Sequence, residues 1–171
     1  MHPAVVTAVL LLVGTTITVA DEEEEGLEGL CLNVSPILCE ECHWVAFGRN
    51  GVCMRYFETP KTFREAQAHC HSLQSDLVSI HTEQDMLNVK YMSYYFTSGF
   101  ERRAFWIGGK RSGGGFIYTD GTKFDYNKWL PNQPDNYLGQ EGCVEANALK
   151  WGMWNDASCS QKKDFVCAKR K

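Results

Sequence analysis

Oxygen-bearing side chains are concentrated in two short stretches near the end of this sequence. Gln133 and Asp135 flank a proline, Glu141 follows them, and Asn155-Asp156 supplies a further amide and carboxylate. Calcium binds roughly six to eight oxygen ligands in a flexible cage. Three carboxylates would neutralise such an ion, and the two amides would help to fill its shell without excess charge. These residue types therefore predict a calcium site.

Two helices are predicted upstream of these residues. Thr62 and Glu65 have the spacing of a capping box, and the helix that they open is expected to run to about His71. A second start, in which a threonine precedes an aspartate at the same spacing, predicts a helix from about Glu83 into the Tyr91 region.

Short buried strands and long polar loops are expected in the rest of the chain. Apolar runs at 77–80, 143–144 and 165–167 each predict a strand. Between 108 and 142 the Gly, Asn, Asp and Pro residues predict long loops, and ordered loops of this length usually carry function. Pro134 can adopt the cis form, which would turn its neighbours to the same side. Two early helices followed by strands and loops indicate an α+β domain.

The N-terminal region indicates a secreted product. Residues 1–20 contain a short apolar run followed by small residues, which predicts a signal peptide rather than a membrane-inserted anchor of about 20 apolar residues. An acidic, Cys-rich extension is expected at 21–41, with the compact domain at 42–171. Asn33 lies in a glycosylation sequon. The net charge of −4 gives no electrostatic footprint for nucleic acid.

Eight cysteines in a secreted chain predict a framework of disulfide bonds. A zinc site is the competing interpretation, because Cys39 and Cys42 form a C-x-x-C motif. No second C-x-x-C is present to complete a tetrahedral zinc site. His69 and His71 also suggest a metal, but their spacing of two places them on different faces of a helix. No G-x-S-x-G nucleophile motif appears, so an enzyme is not expected.

Residues 42–167 resemble the C-type lectin domain family along their whole length. Trp106-Ile107-Gly108-Gly109 is similar to the strand motif of the family, with Gly109 where a leucine is usual. Gln133-Pro134-Asp135 resembles the triplet of galactose-type members, and Trp154-Asn155-Asp156 resembles the second calcium motif. The resemblance implies two helices, small antiparallel sheets and a long calcium-binding loop. Apart from this resemblance, four tryptophans are expected in the buried core rather than at a sugar-binding surface: Trp106, Trp129, Trp151 and Trp154.

The resemblance also implies the roles of individual residues. The implied calcium ligands are Gln133, Asp135, Glu141, Asn155 and Asp156. The implied sugar-binding residues are Gln133, Asp135, Tyr137, Glu141 and Asn155. The Gln/Asp order reverses the donor and acceptor sense of the mannose-type Glu/Asn order, and Tyr137 would stack on the apolar face of the sugar. A second calcium site is not expected, because Asn136 and Gly142 stand where the family has acids.

The resemblance implies three disulfides, which are Cys42–Cys53, Cys70–Cys167 and Cys143–Cys159. Cys31 and Cys39 are then left to close on each other or to link two chains into a homodimer.

The function expected from the resemblance is calcium-dependent binding of galactose-containing glycans, in defence at microbial surfaces or in cell agglutination. Two alternatives stay open on the same fold, because fold does not fix function. One is an ice-binding (antifreeze) protein, which should have a flat, uncharged face around the calcium loop. The other is a calcium-independent protein-binding domain.

Overall fold

Two helices and an eight-stranded sheet form the part of the chain that the structure describes. The structure is a computed structural model and describes residues 44–47, 52–96, 103–148, 150 and 152–169. In chain order the elements are β1 (Val45–Phe47), β2 (Val52–Lys61), α1 (Phe63–Ser72), β3 (Asp76–Leu77), α2 (Glu83–Phe96), β4 (Phe105–Ser112), β5 (Gly115–Tyr118), a 3₁₀ turn (Tyr137–Gly139), β6 (Cys143–Ala146), β7 (Trp154–Ala157) and β8 (Lys163–Lys169).

Both predicted helices are present. The capping box of α1 is formed, because the Glu65 N–H donates to Thr62 Oγ1 at 3.3 Å and the Thr62 N–H donates to Glu65 Oε2 at 2.9 Å. Helix α1 ends at Ser72, one position beyond the expected end, and α2 continues past the Tyr91 region to Phe96. Local sequence signals were sufficient for both helices.

The sheet differs from the expected small antiparallel sheets. The strands form one mixed sheet in the order β1-β2-β8-β4-β6-β7, with β3 paired to β8 and β5 paired to β4. The β4–β8 pair is parallel and the other pairs are antiparallel. Residues 164–168 of β8 are all buried, as in a central strand covered on both faces. The final strand therefore joins the two halves of the sheet.

The apolar run Leu77–Ile80 is buried as predicted, but little of it is a strand. Ladder pairing with β8 is confined to Asp76–Leu77. The Val78 N–H then donates to the Val166 carbonyl at 2.9 Å, while the Val78 carbonyl accepts from the Gly108 N–H at 2.8 Å. Because this residue bonds to both β8 and β4, the segment crosses between two strands instead of extending along one.

The tryptophans lie in the core where the structure describes them. Trp106 and Trp154 are fully buried, and Trp129 is partly buried against the same core. Trp151 lies outside the described residues. The Trp154 ring contacts the Trp129 ring at 5.9 Å between centroids in a T-shaped pair. Trp154 and Trp129 thus pack together in one core cluster, whereas Trp106 packs against Phe63 of α1 in another, so none of the three is a surface for a sugar.

Gly109 stands at a close approach between β4 and its neighbours. A Cβ at this position would lie 2.6 Å from Val144 Cγ2 and 2.9 Å from Phe124 Cε2. Phe124 packs against Trp129 at 5.9 Å between ring centroids. The absence of a side chain at Gly109 thus provides room for the aromatic cluster of the loop region.

Two of the implied disulfides are formed in the structure. Cys70–Cys167 ties α1 to β8 with a Cα–Cα distance of 5.5 Å, and Cys143–Cys159 links β6 to the segment after β7 at 5.2 Å. Cys53 is buried in β2, and the other predicted pairs involve Cys31, Cys39 and Cys42, which lie outside the described residues. The signal peptide, the extension at 21–41 and Asn33 also lie outside them.

Candidate functional site

The predicted ligands converge where the loop between β5 and β6 meets β7. Gln133, Asp135, Tyr137, Glu141 and Asn155 all line one cleft of about 650 Å³, which is in the usual size range of ligand sites. These are the five residues implied to bind the sugar. Residues that lie far apart in the sequence are thus brought to one surface.

Three carboxylates form the centre of this site. Oxygens of Asp135, Glu141 and Asp156 all lie within 4.8 Å of one another. Calcium–oxygen bonds of about 2.3–2.6 Å place two ligands on opposite sides of the ion about 5 Å apart. The three oxygens therefore fit within a single coordination sphere. The all-oxygen donor set, with amides at Gln133 and Asn155 beside it, suits a hard cation such as calcium.

Asp156 is the buried anchor of the group, with no exposed surface. Its Oδ1 accepts from the Asp135 N–H at 3.1 Å, and its Oδ2 accepts from the Asn136 N–H at 2.9 Å. Arg111 Nη2 donates to the same Oδ2 at 2.6 Å. The Asp156 carboxylate thus fixes the backbone of the loop as well as offering oxygens to the site.

The loop is held in a conformation that few residues adopt without support. Asn136 and Leu138 have φ angles of 47° and 54°, in the left-handed region that usually costs a non-glycine residue about 1–3 kcal/mol. Asn136 Oδ1 accepts from the Glu141 N–H at 3.2 Å, which closes the loop on itself. The surrounding contacts must therefore compensate for the backbone strain at Asn136 and Leu138. The Gln133–Pro134 bond is cis, a form that the sequence allowed.

The surroundings of Glu141 disfavour its ionised form. Burial raises its pKa above the ordinary value of 4.5, and the negative charges of Asp156 and Asp135 raise it further. A hydrogen bond from the Tyr137 N–H to Glu141 Oε2 at 2.9 Å opposes this rise. A bound cation would remove the repulsion, so metal binding and proton loss at this carboxyl are coupled.

Asn155 is oriented by a second set of contacts that the sequence did not reveal. Its Nδ2 donates to Glu145 Oε1 at 3.0 Å, and Lys163 Nζ lies 2.7 Å from Glu145 Oε2. Because the amide nitrogen is engaged on this side, the Asn155 oxygen is left for the cleft. The sequence did contain one indication, because Glu145 is a single charged residue between the apolar residues Val144 and Ala146. Such a charge is rarely buried without a partner.

The outer face of the site presents an amide and two large side chains. Gln133 Oε1 accepts from the Asp135 N–H at 3.1 Å, which leaves its Nε2 as the group that can donate to a ligand. Tyr137 is 66 % exposed and Leu138 is 75 % exposed. An exposed ring beside an all-oxygen cage provides an apolar contact next to a polar one.

Comparison with known proteins identifies a family match that extends from β2 to the end of β8. Residues 59–169 match the Lectin C-type domain. C-type isolectin Sp-CL4 from Scorpaena plumieri is 48 % identical over 115 residues, covering 67 % of this chain and 78 % of that protein. The galactose-specific lectin nattectin from Thalassophryne nattereri is 30 % identical over 145 residues, covering 82 % of this chain and 88 % of that protein.

Solved structures share the fold but differ in what their names say. The C-type lectin CEL-I from Cucumaria echinata superposes with a TM-score of 0.68 and 32 % identity, covering 74 % of this chain and 94 % of that chain. A calcium-independent type II antifreeze protein superposes with a TM-score of 0.65 and 28 % identity, covering 76 % and 93 %. The fold therefore does not determine the ligand, which depends on the residues of the site.

Proposed function

Because the chain belongs to the C-type lectin domain family, a family of carbohydrate-binding and non-enzymatic domains, we propose that it is a secreted lectin that binds galactose-containing glycans through one calcium ion. The observation that carries this proposal is the convergence of Asp135, Glu141 and Asp156 oxygens within 4.8 Å of one another. Carboxylates repel each other at this separation, and a divalent cation is the natural partner that offsets the repulsion.

The sugar would bind at the exposed side of the cage. Two neighbouring hydroxyls of the sugar would complete the calcium shell, accept from the amide of Gln133 and donate to the carboxylates of Asp135 and Glu141. Tyr137 would pack on the apolar face of galactose. The Gln/Asp order and the galactose-specific relative from Thalassophryne nattereri support galactose over mannose.

Chromatography on immobilised galactose tests the metal and the sugar together. The native protein should be retained in calcium and released by chelator or by free galactose. Asp135→Asn alone should strongly reduce retention, because it keeps an oxygen at the site but removes a neutralising charge that no other residue restores. Glu58→Gln is the matched control, since Glu58 is an exposed carboxylate on β2, and it should behave as the native protein. Retention in chelator would contradict the calcium part of the proposal.

A sugar array separates the choice of sugar from the need for calcium. Exchanging the pair, with Gln133→Glu and Asp135→Asn, should move the preference toward mannose, because the donor and the acceptor change places around the same hydroxyls. Tyr137→Ala should weaken galactose binding through loss of the stacked ring. If the native protein prefers mannose to galactose, the specificity proposal fails while the calcium proposal stands.

Ice binding is the second candidate, and the calcium-independent antifreeze neighbour is the observation that favours it. The shape of the site opposes it, since the cleft is concave and carries the carboxylates of Asp135 and Glu141. A thermal-hysteresis measurement decides the matter. Freezing-point depression that is well above the colligative value, without galactose retention, would replace the lectin proposal.

We propose that the two cysteines of the N-terminal extension, Cys31 and Cys39, affect the avidity of glycan binding. If Cys31 and Cys39 link two chains, paired sites on one particle would raise avidity without any new contact. A non-reducing gel should then show a dimer that reductant converts to monomer, and replacing both with serine should reduce cell agglutination more than binding of free galactose. A monomer band under both conditions would favour a local Cys31–Cys39 bond.

Among the described residues no helix is long and apolar enough to cross a membrane.

A further inference from the structure

One cationic side chain extends into the carboxylate cluster from outside the predicted ligand set. Arg111 lies near the end of β4, and its side chain is 27 % exposed. Its Nη2 donates to Asp156 Oδ2 at 2.6 Å, and its Nε donates to the Glu141 carbonyl at 3.0 Å. The guanidinium also lies over the Phe116 ring at 4.7 Å. One of its five donors is thus committed to β7 and another to the loop, and its plane is held by an aromatic face.

The backbone of the same residue adds a third connection. The Arg111 N–H donates to the Gly142 carbonyl at 2.8 Å. Arg111 therefore binds the two residues at the end of the loop, Glu141 and Gly142, through their carbonyls, and it binds β7 through Asp156. Because Asp156 in turn accepts from the N–H groups of Asp135 and Asn136, one chain of contacts runs from the β4–β5 hairpin to both ends of the loop.

Charge makes this connection matter most when no metal is bound. The carboxylates of Asp135, Glu141 and Asp156 would then repel one another. Among the ion pairs of the described residues, the Arg111–Asp156 pair is the one that reaches this cluster. A charge-assisted hydrogen bond to a carboxylate is short and strong. The Asp156 carboxylate is fully buried, so it cannot replace this bond with one to water.

We propose that Arg111 is a positioning residue, a built-in cation that keeps the loop at 133–141 in its binding shape when calcium is absent. This inference rests on the proposed function for its consequence, because a loop that is already ordered does not have to be ordered by calcium or by the sugar. Lysine would not replace it fully, since an ammonium has no Nε donor and no planar fork to hold both Asp156 and the Glu141 carbonyl.

Limited proteolysis of the full chain tests this role directly. Chymotrypsin cuts after Tyr137 and Leu138, which are exposed at the tip of the loop, and cleavage of a closed loop follows the population of its open form. Native protein, Arg111→Met and Arg111→Lys should be compared in chelator and in excess calcium, with fragments separated on a reducing gel and identified by mass. Lys110→Met is the matched control, because Lys110 is the exposed neighbour on the same strand.

In chelator, Arg111→Met should be cut in the loop at least about ten-fold faster than the native protein, with Arg111→Lys between them and Lys110→Met unchanged. Calcium should slow loop cleavage of Arg111→Met far more than that of the native protein. A merely structural role predicts instead faster cleavage at core sites in both conditions, and that result would overturn the proposal, as would equal loop cleavage in chelator. If calcium protects no variant while Arg111→Met is still cut faster, the calcium proposal fails and the role of Arg111 stands.

Discussion

Replacing Asp156 with alanine should destabilise the protein even when no calcium is present. The carboxylate is fully buried and accepts three hydrogen bonds, from the Asp135 and Asn136 N–H groups and from Arg111 Nη2. Alanine offers no acceptor, so the Asn136 N–H and Arg111 Nη2 lose their partner, whereas the Asp135 N–H keeps its contact with Gln133 Oε1. The change therefore removes a structural contact as well as a metal ligand.

The size of the effect can be estimated from these contacts. The Asn136 N–H is left without a partner, which costs about 1 kcal/mol at the lower end of the usual range, because the loop is partly exposed. The Asp135 N–H keeps one of its two acceptors, so about 0.5 kcal/mol is expected there. The Arg111 side chain is 27 % exposed, so water offsets part of its loss and about 1 kcal/mol is expected there too. The total is about 2.5 kcal/mol, which corresponds to a fall in Tm of about 10 °C for a domain of this size.

Asp135→Ala provides the comparison, because Asp135 is an exposed member of the same cage. Its side chain accepts one hydrogen bond in the described structure, from the Tyr137 N–H at 3.2 Å. Its removal should cost less than about 1 kcal/mol of unfolding free energy. Both variants should lose calcium binding in titration calorimetry. Urea unfolding in chelator, followed by tryptophan fluorescence, should separate them by about 2 kcal/mol.

Equal unfolding free energies for the two variants in chelator would refute this reasoning. Such a result would mean that the buried contacts of Asp156 contribute nothing to the metal-free protein. Asp156→Asn refines the measurement, because it keeps one oxygen acceptor but removes the charge. It should fall between the native protein and the alanine variant if the backbone contacts and the ion pair contribute separately.

Three further outcomes are expected. Calcium affinity measured by calorimetry should fall with acid earlier than an ordinary glutamate pKa of 4.5 predicts, because Glu141 has a raised pKa and must lose its proton to bind the metal. Burial lowers the pKa of His69, so the unfolded chain binds a proton more tightly than the folded chain does. The free energy of unfolding should therefore fall as the pH drops below about 6.5, and it should fall less in His69→Phe. Replacing Cys143 and Cys159 with serine should cost about 3 kcal/mol in denaturant unfolding, because that bond spans a sequence separation of 16.

Features that depend on local sequence were predicted well. The capping box at Thr62 and Glu65 specifies the start of α1 through contacts three residues apart, and it is formed in the structure. The oxygen donors at 133–141 and on β7 were recognised because their residue types suit calcium and their motifs resemble those of the C-type lectin domain family. Whether they hold calcium stays a prediction. Their convergence on one cleft is a property of the fold.

Features that depend on distant pairing could not be predicted from the sequence. Arg111 and Asp156 are 45 positions apart, and nothing in either neighbourhood points to the other. The single mixed sheet arises because β8 inserts between β2 and β4, and a strand's own residues do not encode its neighbours. Val78 is buried and apolar like a strand residue, yet its backbone bonds to two different strands.

The site separates into a buried part that fixes shape and an exposed part that meets the ligand. Asp156, Glu145 and Arg111 hold the loop and orient Asn155 through contacts made wholly within the protein. Gln133 and Tyr137 make few contacts of this kind, and both line the cleft. Substitutions at the exposed part should therefore alter what is bound at little cost in stability, whereas those at the buried part should cost stability whatever the ligand. This division gives a physical reason why one fold can serve a lectin and a calcium-independent antifreeze protein.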